Sequence, residues 1–147
     1  YLLLAVPLVQ NIYPSVDLGL KLFYHNKIIN FEYDQTQKVA RYLQAHVDED
    51  DYIFSVDFPP TVYYLVGAKS PTRFVFPPFL TDDTYSEIIG IDSIQELKSI
   101  IEKRPSYIIK NHNKDDAFHA ELGRYLDQIY VLETTIDDLE FYRLREN

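Results

Sequence analysis

The sequence lacks cysteine, methionine and tryptophan altogether. Without cysteine the chain has no disulfide framework, no thiolate nucleophile and no cysteine-based zinc site, and the redox state of its compartment stays open. Because methionine is missing and Tyr1 is the first residue, we expect the chain to be a processed or excised piece of a longer protein. That expectation directs attention to its amino end.

Basic residues and glycine are scarce. Lysine and arginine number 14 against 23 aspartates and glutamates in 147 residues, which gives a net charge of −9, and no basic run occurs. Because binding to nucleic acid or to anionic lipid requires clustered basic residues, nucleic acid is not expected as a partner. The four glycines form no GxGxxG or GxxxxGKS/T phosphate loop and no GxSxG elbow, which argues against nucleotide-binding enzymes and α/β-hydrolases.

The amino end is apolar. Residues 1–9, YLLLAVPLV, are uncharged, yet they fall short of the ~20 residues that span a bilayer. They are compatible with a buried segment of the core and with the last turns of a membrane helix. No Lys or Arg precedes Lys21, whereas cytoplasmic flanks of membrane helices are usually basic. We therefore expect residues 1–33 to be the end of a membrane helix and a connector, with the remaining residues outside the cytoplasm.

Hydrophobic residues make up 46% of the sequence, enough for one domain with a core. From residue 34 onward, helical patterns alternate with short β-rich runs. Helices are predicted at 34–47, 61–66, 92–104 and 115–130, and strands at 52–57, 72–76 and 106–112. This alternation predicts a soluble three-layer α/β domain over residues 34–147, with a mainly parallel sheet and helices on both faces. Two last strands, 131–136 and 139–145, are expected to form an antiparallel C-terminal edge hairpin.

Polar residues mark the ends of these elements. Ser93 and Glu96 are predicted to form a capping box, and Gly67 is predicted to terminate the helix at 61–66. Four acidic pairs fall at predicted turns or helix starts, where aspartate is favoured: Asp50-Asp51, Asp82-Asp83, Asp115-Asp116 and Asp137-Asp138. His112 and His119 match no helical HxxxH pair, and we interpret their stretch as a solvated loop that enters a helix. No metal ligand, catalytic residue or cofactor is therefore assigned.

The candidate site is the corner Asp57-Phe58-Pro59-Pro60, which begins at the carboxyl end of the first predicted strand. Ligands of open α/β sheets usually bind beyond the carboxyl end of such a strand. Asp57 is compatible with a ligand contact and with an N-cap of the helix that the prolines open. Arg73 is compatible with a phosphate or carboxylate contact and with an ion pair to Asp57 or another acid. Tyr63, in the helix that follows the corner, is the third candidate contact for an acceptor or ligand.

Several short motifs follow one another over roughly residues 34 to 145. Their positions are Asp51, Ile53, Val56, Pro60, Tyr63, Leu65, Gly67, Pro71, Arg73, Phe76, Lys103, Pro105, Tyr107, Ile108, Tyr142, Arg143 and Leu144. In this order they resemble the carboxyl-terminal soluble region of bacterial multispanning glycosyltransferases of family 39, similar to protein mannosyltransferases and the lipid A aminoarabinose transferase. Asp57-Phe58 departs from the Trp-Gly or similar pair that relatives often carry.

The resemblance implies a non-catalytic extracytoplasmic domain of a membrane enzyme that moves a sugar from a polyprenyl-phosphate carrier to an acceptor. In this family the catalytic acids lie in outer loops between membrane helices, so none is expected here. The implied partners are the membrane helices of the same parent chain, a lipid-linked sugar donor and an acceptor of unknown type. The implied location is the outer side of the bacterial cytoplasmic membrane. The alternative is a stand-alone soluble α/β module that binds a ligand or a partner and has no membrane parent.

Overall fold

The computed structural model describes residues 35–112 and 116–145. They form a mixed α/β unit with six helices and four strands. In chain order these are α1 Gln35–Gln44, β1 Ile53–Ser55, α2 Thr61–Val66, α3 Pro78–Thr81, α4 Asp83–Ile89, α5 Ser93–Glu102, β2 Tyr107–Asn111, α6 Ala117–Ile129, β3 Tyr130–Ile136 and β4 Leu139–Leu144. No helix within these ranges is long and apolar enough to cross a membrane. The membrane-helix end and connector predicted at 1–33 lie outside the described residues.

The four strands lie in the order β1-β2-β4-β3. β1 and β2 are parallel, with Ile53 opposite Tyr107. β4 runs antiparallel to β2 and to β3. The α/β class and the antiparallel C-terminal hairpin with its edge strand are confirmed, whereas the mainly parallel sheet is wrong, because one strand pairing of three is parallel.

The sheet loses its expected parallel character because residues 72–76 do not form a strand. Thr72 is buried and folds this segment into a turn. Its hydroxyl donates to Glu96 Oε1 at 2.6 Å and accepts the amide of Phe74 at 3.1 Å. Ser70 Oγ donates to the Thr72 carbonyl at 2.8 Å. These local bonds occupy groups that a strand would offer to a neighbour, so side-chain hydrogen bonding overrides the apolar pattern.

Helices pack against the sheet through two hydrophobic clusters. Successive side chains of a strand point to opposite faces, and Ile53 and Phe54 accordingly belong to different hydrophobic clusters. One cluster joins the sheet to α1 and α2 through buried residues that include Val39, Leu43, Val62, Tyr107, Ile109 and Phe141. The other joins it to α5 and α6 through residues that include Leu97, Ile100, Ile108, Phe118, Leu122 and Leu126.

Aspartates begin three of the helices. Asp92, rather than the predicted Ser93, is the N-cap of α5 and accepts from Gln95 N at 2.9 Å. Asp82 caps α4, which together with α3 was not predicted. Asp116 caps α6, as the acidic-pair pattern indicates. The predicted end of α2 is confirmed, since Gly67 has φ 80° and its amide donates to the Tyr63 carbonyl.

Gly67 and Gly123 provide a matched test of this backbone geometry. A Cβ added at either position would meet no atom within 4 Å, but Gly67 has a positive φ and Gly123 lies inside α6. We expect Gly67→Ala to lower the free energy of unfolding by about 1–2 kcal/mol, because the left-handed region disfavours a Cβ. Gly123→Ala should raise it by about 0.5–1 kcal/mol. Urea unfolding measures both, and equal effects would contradict the backbone explanation.

Candidate functional site

A crevice lies at the carboxyl ends of the two parallel strands. Asp57 stands two residues beyond β1, and Asn111 is the last residue of β2. The crevice has a volume of about 360 Å³. Its lining consists of Asp57, Phe58, Pro59, Pro60, Phe76, Pro77, Pro78, Thr81 and Asn111. Although the sheet is mixed, its parallel pair places the crevice where open α/β sheets bind ligands.

The walls of the crevice are rigid and largely apolar. Four prolines contribute to them, and each proline ring fixes its own φ. Phe58 is buried beneath the crevice, whereas Phe76 is 47% exposed and lies edge-on to Phe79 at 5.3 Å between ring centroids. Thr81 Oγ1 donates to the carbonyl of Pro77 at 3.2 Å. The crevice therefore offers a preformed aromatic and prolyl surface with a few polar groups.

The carboxylate of Asp57 is held by two donors. Its Oδ2 accepts from Asn111 N at 3.2 Å and from His119 Nε2 at 2.8 Å. The other ring nitrogen of His119, Nδ1, lies 2.7 Å from Asp116 Oδ2. The side chains of His119 and Asp57 are 2% and 6% exposed, and that of Asp116 is 40% exposed. Ionised carboxylates only accept hydrogen bonds, so an imidazole between two of them donates from both nitrogens and is an imidazolium.

The electrostatics favour this charged state. Burial opposes a positive charge on His119, but the hydrogen bonds and negative charges of Asp57 and Asp116 outweigh it, so the pKa of His119 is raised above 6.5. Burial likewise opposes ionisation of Asp116. Its hydrogen bonds from the amide and the imidazole of His119 outweigh that effect and lower the pKa of this carboxyl. The cluster Asp57–His119–Asp116 is thus an acid–imidazolium–acid clamp behind the crevice.

The three predicted contact residues are not brought together. Asp57 lines the crevice, but its interpretation as a helix cap is wrong, because Pro60 is the N-cap of α2 and no side chain bonds there. Tyr63 does not line the crevice; its hydroxyl accepts from Ser55 N at 2.9 Å, and burial raises its pKa. Arg73 is exposed, and its guanidinium lies 4.7 Å from the centre of the Phe74 ring rather than beside Asp57.

His119 is the residue that sequence reasoning missed. We interpreted its stretch as solvated, yet His119 is buried. The spacing Asp116-x-x-His119 at a helix start was a usable signal, since the side chain of an N-cap reaches the third helical residue. Asp57 lies 62 positions away in the chain, so the second half of the clamp had no local signal.

Two hydrogen bonds fix the carboxylate of Asp57 at the crevice. A carboxylate held in this way is a hydrogen-bond acceptor suited to orienting a ligand hydroxyl. Within residues 35–112 and 116–145, no group of three or more His, Asp or Glu side chains is arranged to hold a metal ion. No protein-family model, curated protein or solved structure matches the chain. The chemistry of the crevice and the sequence resemblance are therefore what bear on its function.

The clamp predicts a pH-dependent stability. A raised histidine pKa adds stability that is complete below the ordinary value of 6.5 and is lost as pH rises through the raised pKa. The lowered pKa of Asp116 acts at acidic pH instead, so it does not contribute in this window. We expect the free energy of unfolding of the whole chain, measured in urea between about pH 6 and 9, to fall as the His119 imidazole resonances titrate.

Asp57→Asn is the informative variant, because it removes a negative charge while keeping the shape of the side chain. In this variant the pKa of His119 should move back toward 6.5, and the loss of stability should occur at lower pH. Asp83→Asn, at an exposed acid in the first turn of α4, is the control and should leave the titration of His119 unchanged. An unchanged His119 titration in Asp57→Asn would show that the two side chains are not coupled.

Proposed function

We propose that the chain is the non-catalytic extracytoplasmic domain of a polytopic membrane glycosyltransferase, and that its crevice contacts a sugar of the acceptor. The parent enzyme would move a sugar from a polyprenyl-phosphate carrier to that acceptor at the outer side of the bacterial cytoplasmic membrane. The catalytic acids and the site for the lipid-linked donor would belong to the membrane part of the same chain. The observation that carries the proposal is the chemical composition of the crevice.

The crevice combines the groups that bind a sugar ring. The faces of Phe76 and of the prolines complement the C–H face of a pyranose, and the carboxylate of Asp57 is a strong acceptor for its hydroxyls. Asn111, the last residue of the neighbouring strand β2, adds a further polar group to the crevice. A volume of about 360 Å³ is at the lower end for small-molecule sites, which suits one or two sugar units rather than a long glycan.

The clamp supports a positioning role for Asp57. A nucleophile or general base must be able to move a bond or a proton, whereas this carboxylate is already engaged by an imidazolium and a backbone amide. A fixed acceptor instead sets the orientation of a hydroxyl on a bound sugar. The sequence resemblance supports the same division of labour, with this domain beside the acceptor and the chemistry in the membrane part.

Binding of a sugar tests the crevice. We expect a panel of neutral and amino monosaccharides to shift the amide resonances of Asp57, Phe76 and Asn111 saturably in the 147-residue chain. Phe76→Ala should weaken that binding by about tenfold, the effect of losing one stacking ring. Tyr85→Ala is the matched control, because Tyr85 and Phe76 are each 47% exposed and Tyr85 does not line the crevice. Equal binding by the two variants would refute the assignment.

The upstream coding sequence and a transferase assay test whether the chain belongs to a membrane enzyme. We expect the reading frame upstream of Tyr1 to encode several hydrophobic helices, with an acidic residue in the first outward loop, as the resemblance implies. The 147-residue chain alone should transfer no sugar from a polyprenyl-phosphate donor. A start codon or signal peptide directly upstream would favour the stand-alone ligand-binding module, and transferase activity from the chain alone would contradict a non-catalytic role.

A further inference from the structure

A second pocket lies at the opposite end of the sheet from the crevice. It lies where β2 begins and where β4 ends, and its volume is about 340 Å³. Three arginines, Arg104, Arg143 and Arg145, contribute to its lining beside His46, Ser106 and Tyr107. Among the described residues that line it there is no acid. In a chain of net charge −9, three arginines around one pocket form a local field of the opposite sign.

We propose that this pocket binds a phosphate-type oxyanion. The inference stands apart from the proposed function, because it uses none of the residues that line the crevice. Guanidinium groups are the side chains best matched to phosphate, since each presents a planar fork of donors and stays charged. The arrangement of the individual donors explains why phosphate fits better than carboxylate.

Arg104 occupies a backbone position that usually belongs to glycine. It follows α5 with φ 50°, its amide donates to the Ile101 carbonyl at 2.9 Å, and Pro105 comes next. A side chain in the left-handed region is uncommon, and glycine would adopt this conformation without strain. The sequence instead places an exposed guanidinium at the pocket. Strained backbone of this kind is concentrated at binding sites.

Arg143 and Arg145 come from β4 and the residue that follows it. Arg145 Nη1 donates to the carbonyl of Gln128 at 3.3 Å, which anchors its side chain to the end of α6. Arg143 Nε donates to Glu133 Oε1 at 3.0 Å. Glu133 therefore offsets part of the positive charge of Arg143 and occupies one edge of its guanidinium. Its other carboxylate oxygen accepts from the hydroxyls of Tyr42 and Tyr107.

The remaining polar groups are already committed as donors. Ser106 Oγ donates to the Tyr52 carbonyl at 3.1 Å, and Tyr107 donates to Glu133, while burial and that bond raise its pKa. His46 Nδ1 donates to the Tyr42 carbonyl at 2.7 Å, and its ring stacks on that of Tyr42 at 4.4 Å. The imidazole is thereby fixed in orientation. An anion in the pocket would accept its hydrogen bonds chiefly from the guanidiniums.

The number of donors selects the class of anion. A carboxylate has two oxygens with about four acceptor sites, whereas each guanidinium carries about five N–H donors, so three arginines supply more donors than one carboxylate accepts. A tetrahedral phosphate or pyrophosphate has enough oxygens for all of them. The volume of about 340 Å³ also leaves room for a group esterified to the phosphate.

The test is anion binding to the 147-residue chain. Amide resonances and calorimetry measure the binding of inorganic phosphate, pyrophosphate and acetate. We expect saturable shifts at residues 104–107 and 143–145, with phosphate and pyrophosphate bound more tightly than acetate. Arg104→Asn, which tolerates a positive φ, and Arg145→Gln should each weaken phosphate binding by about tenfold. Thermal unfolding confirms that each variant folds.

Arg124→Gln is the matched control, because Arg124 is exposed on α6 and pairs with Glu121 at 2.9 Å, away from the pocket. Absence of saturable binding, or equal weakening by the Arg124 and Arg104 variants, would overturn the proposal. Vesicles of phosphatidylcholine with and without phosphatidic acid separate the two sources of phosphate. Capture that requires phosphatidic acid and Arg104 identifies a lipid headgroup, and phosphate binding without vesicle capture identifies a soluble phosphate ester. Failure of both probes would refute the site.

Discussion

The imidazole of His119 joins three elements at the carboxyl edge of the sheet. Through Asp57 it contacts the residues that follow β1, and the same carboxylate oxygen accepts from Asn111 N at the end of β2. Through Asp116 it is fixed to the start of α6. A buried carboxylate without a cation would be costly to ionise, and a buried imidazolium without carboxylates would lose its proton. The buried imidazole of His119 is therefore stabilised in its charged form by both carboxylates, and it fixes Asp57 at the crevice.

The mixed sheet separates two chemically different ends. Because β1 and β2 are parallel, their carboxyl ends meet at the crevice with its carboxylate and apolar walls. Because β4 is antiparallel to β2, its carboxyl end lies beside the start of β2 instead. This brings Arg143 and Arg145 next to Ser106, at the end remote from Asp57.

Local signals accounted for much of the fold. The helix at Thr61–Val66 and its end at Gly67 follow from two prolines before it and a glycine after it. The amphipathic patterns of α5 and α6 and the turn at Asp137-Asp138 were visible for the same reason, since each is set by neighbours in the chain. The strand predicted at 72–76 is absent because the hydroxyls of Ser70 and Thr72 bond to the backbone of Thr72 and Phe74, and Thr72 also bonds to the side chain of Glu96, 24 positions away. An apolar run does not reveal that neighbouring side chains occupy its backbone groups.

The sequence by itself determined the α/β class, the helix start at Asp116, the C-terminal hairpin and the position of Asp57 at the carboxyl end of the first strand. Each depends on residues a few positions apart, whose conformations are restricted by local sterics and hydrogen bonds. Tertiary structure alone decided that His119 is buried between Asp57 and Asp116, that β4 pairs with β2, and that Arg104 and Arg145 share a pocket. Apart from Asp116 and His119, which are three positions apart, those contacts join residues about 28 to 62 positions apart. Such pairings depend on how the elements pack rather than on any local preference.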